Sequence, residues 1–328
     1  VLLVSLAMLG IDFLIMGFAH SLWVLVIGRA LSGVFAATHS TAFSYIADVT
    51  EPEERGKAFG LVGAAFGVGF IVGPAVGGLL GQIDPRAPFF AAAGLAFLNI
   101  AYGLFVLPES LPRENRRAFD WKRANPLGAA RHFSKLPRVA WFLVALAFFT
   151  FGQWVYPATW SYHSAVRYGW DTGQIGGSLA LVGVGAALVQ GGLVGWLIKR
   201  VGPSRAALTG LGFSTAGYLL YSVAGQPWMV FAIVPVSALA GFFLPAINAM
   251  MSAEVARDAQ GELHAAAGSL QSLVQIVSVV AMTQVFHAFN AKDAAVSLPG
   301  AAFLLAALMN AVCLAFFVIG LRRRARAG

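Results

Sequence analysis

Apolar residues run along this chain in stretches of about 20, the length that crosses the hydrocarbon core of a bilayer as a helix. Ten such stretches follow one another, at 1–19, 22–47, 57–81, 88–107, 138–163, 173–198, 206–224, 227–252, 262–288 and 298–321. Short polar breaks separate them, with one exception. Residues 108–137 are polar, basic and carry four prolines, which predicts a linker between an N-terminal part (1–107) and a C-terminal part (138–328).

Within the third stretch, GAAFGVGFIVGPAVGGLLG (63–81) repeats glycine every four residues, at Gly69, Gly73, Gly77 and Gly81. On a helix this spacing predicts one nearly smooth stripe, and Pro74 inside it removes the backbone bond that its N–H would give to Phe70. In water each glycine costs about 1 kcal/mol relative to alanine in a helix. In a bilayer small residues instead let neighbouring helices approach closely. Gly69, Gly73, Pro74, Gly77 and Gly78 are therefore expected to form a tight helix-packing or gating surface, beside the plainer alternative of an ordinary close-packed membrane helix.

Composition agrees with a membrane chain. Of 328 residues, 59% are hydrophobic and 11% charged, with a mean hydropathy of +0.76, where soluble domains are about one quarter charged. The net charge of +8 does not point to nucleic acid, because the basic residues lie in connections between spans. Eighteen of the 22 Lys and Arg fall in one alternating set of connections and three in the other. By the positive-inside rule the basic loops and the C-terminus are cytoplasmic. The single cysteine, Cys313, excludes an intrachain disulfide. Val1 begins within an apolar run with no basic segment or cleavage site before it, which reads as a chain cut inside or just before a span rather than a signal peptide.

The two parts echo one another. IADVTEPEERGKAFG (46–60) and SAEVARDAQGELHAAAG (252–268) each close one span and open the next, with Asp48 and Glu254 in matching places. If the echo holds, spans 138–163 and 173–198 lack counterparts before residue 1. The predicted fold is therefore all-α, a polytopic membrane helix bundle. Ten spans are present of an implied twelve, in two pseudo-repeated six-helix halves as in secondary transporters.

The residues that follow resemble a known family. IGRALSGVFAA (27–37), with Arg29 and Gly33, is similar to the fourth-helix motif of the major facilitator superfamily. Gly73, Pro74, Gly77 and Gly78 match its fifth-helix antiporter motif. SYIADVTEPEERGKAFG, APFFAAA, GQWVYPATW, YGW and LPAIN are similar to stretches of the tetracycline-efflux branch of the drug/proton antiporters. The resemblance covers the whole chain. It implies proton-coupled efflux by alternating access, with Asp48 in the place of the residue that pairs with the cytoplasmic gate motif. A degenerate copy of that motif lies at GWLIKRVGPSR (195–205), with Lys199 in its acidic position. Two positions depart: the branch's eighth-helix histidine falls on Ala186 and its ninth-helix aspartate on Ser214. Both belong to its tetracycline and proton machinery, so the resemblance implies the transport design more firmly than the cargo.

Asp12 stands in an otherwise apolar span and Arg29 in the next, antiparallel one. At about 1.5 Å per residue both lie roughly 10–12 Å from the outer turn, so they are predicted to meet. A membrane-buried carboxylate is costly unless paired or titrating. The pair is either a static anchor or, as the resemblance favours, a proton-coupling site. For cargo, Gln153, Trp154, Gln190, Asn248, Gln271 and Gln275 are the substrate-binding candidates. Amphipathic aromatics with a few amides suit a mostly apolar, drug-like molecule. Tyr156 and Trp160 read either as cavity lining or as an interfacial aromatic belt. His39 lines the cavity or bonds a neighbour.

No phosphate loop, nucleophile elbow or metal-ligand spacing is present, so no enzyme and no metal are expected. Protons are the coupling ion in place of a cofactor. The expected partners are a small amphipathic substrate and the lipid bilayer, not nucleic acid, and the protein is expected to be a monomer in the bacterial cytoplasmic (inner) membrane. Two alternatives stay open: a metabolite facilitator or importer on the same scaffold, and a membrane fragment that transports nothing.

Overall fold

The computed structural model describes residues 2–35, 38–51, 54–108, 139–255, 260–291, 294 and 296–327, with the backbone alone at 38–40, 43–44, 47, 55–57, 59–60, 63, 261–262, 265 and 326–327. All but the first residue of the expected linker at 108–137 lies outside the described residues, as does the side chain of His39.

Each of the ten apolar stretches is helical where it is described. The helices are α1 (Leu2–Phe18), α2 (Leu22–Val34), α3 (Thr38–Val49), α4 (Arg55–Ile83), α5 (Ala87–Val106), α6 (Ala140–Gln153) and α7 (Val155–Tyr168). They continue with α8 (Thr172–Leu188), α9 (Val194–Val201), α10 (Pro203–Val223), α11 (Pro227–Ala238), α12 (Phe243–Ala253), α13 (Gln260–Asn290) and α14 (Ala301–Ala327). Among the described residues seven helical runs are long and apolar enough to cross a membrane, and α1 and α2 are shorter apolar helices. The stretch expected at 206–224 is long enough as α10, but Ser204, Arg205, Thr209, Ser214 and Thr215 dilute its apolar character.

Four expected spans are interrupted. The stretch at 22–47 divides between α2, which ends at Val34, and α3, which begins at Thr38. Pro157 has no N–H to give the Gln153 carbonyl, and the chain turns at Trp154 between α6 and α7. α8 passes through a π-helical turn, Val189–Leu193, before α9. α11 and α12 are joined by a 3₁₀ turn, Leu239–Phe242, where Pro245 withholds the N–H that would have met the Gly241 carbonyl.

Two compact units result. The first comprises Val1–Phe119 and Asp171–Ala180, the second Asp120–Trp170 and Leu181–Gly328. In the first, α1 packs along α5 through small residues. A Cβ on Gly17 would stand 2.7 Å from Phe90 and one on Gly103 2.7 Å from Leu3, so these glycines seat the larger side chains. The second unit has an apolar core of Phe142, Leu146, Phe149, Phe243, Ile247, Met250 and Phe317. There Gly210 lets α10 approach the chain at Phe242 and Phe243.

The glycine stripe differs from expectation. Among the described residues nothing lies within 4 Å of a Cβ built on Gly69, Gly73 or Gly77. The face that meets a neighbour carries Pro74, Gly78 and Gly81 instead. A Cβ on Gly78 would stand 2.6 Å from the Thr172 carbonyl oxygen, and one on Gly176 would run into the Pro74 carbonyl. The reason is helical phase. At about 100° per residue, a four-residue repeat precesses about 40° per step, so the stripe spirals around the helix. Pro74, Gly78 and Gly81 stay within about 60° of one another. Gly69 lies on the open side, in a concavity of about 490 Å³ with Val62, Ala65, Phe66 and Phe70, and Pro74 stands at the boundary, lining the concavity as well.

Candidate functional site

The first unit holds one charged pair inside apolar helices. Asp12, on α1, is 2% exposed. Arg29, on α2, pairs with its Oδ2, and Arg29 Nε donates to Oδ1 at 3.3 Å. The preceding residue is a glycine because there is no room for more. A Cβ on Gly28 would stand 2.9 Å from Ile15 and 3.3 Å from Asp12 Oδ1, so α2 can press its backbone against α1 where the carboxylate sits. The guanidinium keeps half of its side-chain surface exposed. The pair is thus one-sided, with a sequestered anion and a cation that reaches outward.

At the other end of α4, the same unit closes on polar contacts. Gln82 Nε2 donates to Asp171 Oδ1 at 3.1 Å. Asp171 also caps α8: its carboxylate accepts from Gln174 N at 2.8 Å, and its own N–H is answered by Gln174 Oε1 at 3.0 Å. This is a reciprocal capping box. The Gln174 N–H holds the Asp171 carboxyl below its ordinary range against the opposing effect of desolvation, and the Gln82 amide and the Gly173 N–H add lesser lowering effects. Asp48, the expected gate residue, is exposed at the end of α3.

The second unit holds all of the expected cargo residues. Gln153 is exposed at the break between α6 and α7, and its Oε1 accepts from Tyr218 Oη at 2.9 Å. Trp154, half-buried, forms the turn itself. Gln271 and Gln275 are half-buried on α13, and Ser278, less than one turn further on that face, donates to the Phe151 carbonyl at 2.6 Å. That bond turns this side of α13 toward the break that carries Gln153. Gln190 is exposed on the π-helical turn, and Asn248 is half-buried on α12. Among the described residues Gln190, Asn248, Gln271 and Gln275 make no hydrogen bond to one another. Tyr156 and Trp160 are not an outer belt. Tyr156 packs within 6 Å of Tyr218, Tyr221 and Phe303, and Trp160 is 3% exposed.

Several residues of these sites were not expected. Asn310 is fully buried on α14, and its Nδ2 donates to Ser214 Oγ at 2.8 Å. Ser214 is the position that departs from the family's aspartate. The available signal was a lone amide in the apolar run FLLAALMNAVCLAFF, which needs a partner in any membrane interior. Glu254 was expected as the counterpart of Asp48, but its partner was not: it pairs with Arg324 of α14 at 2.6 Å. No group of three or more His, Cys, Asp or Glu able to hold a metal occurs among the described residues.

Comparison with known proteins places this arrangement. The model of the Major Facilitator Superfamily matches residues 1–279. The tetracycline resistance protein of class C from Escherichia coli is 37% identical over 314 residues, which cover 96% of this chain and 78% of that protein. The chain belongs to the Major Facilitator Superfamily. It lies in the tetracycline-efflux-like branch and is an integral membrane transporter, not an enzyme. The class G protein of Vibrio anguillarum is 38% identical, over 88% of this superfamily member and 73% of that protein. Among solved structures, the nucleoside transporter NupG superposes with a TM-score of 0.77 at 11% identity, over 97% of this transporter and 82% of that chain. The human organic anion transporter MFSD10 does so with 0.64 at 20%, over 96% and 76%. At such identities these two speak for the fold alone.

Proposed function

We propose that this transporter exports small amphipathic, drug-like compounds from the cytoplasm in exchange for protons, by alternating access of two halves. One observation carries the proton role: the buried Asp12 carboxylate paired with a half-exposed Arg29 between two apolar helices. A charge there is costly unless it is paired or functional, and the Arg29 guanidinium is a partner that favours the charged form of the carboxylate. One charge moving through 100 mV is worth about 2.3 kcal/mol, enough for a concentration ratio of about fifty. Gln153, Trp154, Gln190, Asn248, Gln271 and Gln275 are the proposed cargo contacts, and the basic C-terminus faces the cytoplasm of a bacterial inner membrane. Relatives 32–38% identical are named for tetracycline resistance, which supports tetracycline as a cargo to try first. Ala186 and Ser214, in place of the branch's histidine and aspartate, favour a broader or different cargo.

The test is tetracycline-driven proton movement in everted membrane vesicles. Export predicts proton release from the vesicle lumen when tetracycline is added outside. Proton movement of the opposite sign identifies an importer, and none with any compound of a drug panel removes the proposal.

A further inference from the structure

We infer that Tyr218 is a positioning residue for cargo recognition: its phenol holds Gln153 so that the amide N–H₂ faces outward, and the cargo meets it with a hydrogen-bond-accepting oxygen. The inference rests on the export reading above and adds the chemistry of one contact. Tyr218 is fully buried, and its Oη donates to Gln153 Oε1 at 2.9 Å. A glutamine amide has one acceptor oxygen and two N–H donors. With the oxygen turned inward, the exposed end of the side chain is donor only.

The phenol is itself held from behind. Ser214 lies one turn earlier on the same face of α10 and accepts from Asn310 Nδ2 at 2.8 Å. The other side of the ring packs on Tyr156, with centroids 5.6 Å apart. Gly152, the residue before Gln153, completes the fit. A Cβ there would stand 3.1 Å from the Ala306 carbonyl oxygen, 3.4 Å from Asn310 Oδ1 and 3.5 Å from Tyr218 Cε2. Three helices thus converge on the backbone from which Gln153 projects. Among the described residues Asn310 Oδ1 has no hydrogen-bond partner, a cost of burial that a purely apolar contact would have avoided. A polar strip, with Asn310 bonded to Ser214 and Tyr218 bonded to Gln153 one turn apart on α10, leads from a buried amide to an exposed one. It ends where Pro157 has already opened the helix.

Two readouts on the full chain test this. In proteoliposomes with tetracycline as probe, Tyr218→Phe and Gln153→Ala are each expected to raise KM about three- to tenfold, the worth of one hydrogen bond, with Vmax kept. The double variant is expected to be no worse than Gln153→Ala alone. By NMR of protein labelled with ¹⁵N-glutamine, the Gln153 side-chain signal, assigned by its loss in Gln153→Ala, is expected to move to the solvent-averaged position in Tyr218→Phe. Additive KM effects, a loss of Vmax with KM unchanged, or an amide signal that Tyr218→Phe leaves in place each overturn the inference. Ser214→Ala serves for the same signal if Tyr218→Phe does not fold. Failure of the unaltered protein to move tetracycline counts against that cargo, and the NMR signal then decides the positioning role by itself.

Discussion

Gly78 and Gly176 meet backbone to backbone: a Cβ on Gly176 would lie 2.9 Å from Gly78 Cα, and one on Gly78 3.0 Å from Gly176 Cα. Neither position has a side chain to move aside. Gly176→Val or Gly78→Val is therefore expected to cost about 1–3 kcal/mol as overpacking and to abolish transport. Gly69→Ala and Gly73→Ala, on the open side, are expected to be neutral or to gain up to about 1 kcal/mol of helix preference. Thermal unfolding of the detergent-solubilised variants, with a resistance assay beside it, separates the two faces.

Asp12 is sequestered and Arg29 is not, so the two halves of the pair are unequal. Arg29→Gln strands a buried carboxylate and is expected to destabilise by up to about 3 kcal/mol. Asp12→Asn removes the buried charge itself and leaves an arginine whose side chain is only half covered, and is expected to cost less than Arg29→Gln. The functional order is the reverse: Asp12→Asn is expected to end cargo-driven proton movement in vesicles of otherwise normal protein. Equal transport by Asp12→Asn and the unaltered protein would remove the proton role.

The Asp171 carboxyl is held below its ordinary value by the Gln174 N–H, with the Gln82 amide assisting. A carboxyl lowered on folding stabilises the protein above its unfolded value of about 3.9, and that contribution is lost as pH falls through the lower folded value. Asp171→Asn is therefore expected to flatten the loss of thermal stability below about pH 4, and Gln82→Ala to reduce it in part. Identical pH profiles for Asp171→Asn and the unaltered protein would exclude this cap as an acid-sensitive contact.

Glu254 and Arg324 tie the ends of α12 and α14 at 2.6 Å, with side-chain exposures of 15% and 39%. Partly solvated pairs of this kind are worth about 0–1 kcal/mol. Glu254→Gln is expected to lower stability by less than about 1 kcal/mol. The charge-reversed pair Glu254→Arg with Arg324→Glu is expected to recover most of it, read by chemical denaturation in detergent.

What the sequence determined by itself was set by short-range physics. About twenty apolar residues in a row have to become helices in lipid, because an unpaired backbone is intolerable there. The family motif around Pro74 lies within a single helix, and the meeting of Asp12 with Arg29 followed from one tight turn and a common depth. Pro157 and Pro245 carried their interruptions in the sequence as well, since a missing N–H is local.

Contacts between residues far apart in the chain were decided only by the tertiary structure. Which face of α4 is closed depends on helical phase and on where Gly176, about 100 positions later, comes to rest. The bond of Asn310 to Ser214 joins α14 to α10, and that of Tyr218 to Gln153 joins α10 to α6. Nothing in any one of those helices says which polar side chain the others offer. Hydrophobic length sets that a segment becomes a helix, but its rotation and its neighbours are chosen by packing, which is a property of the assembled bundle.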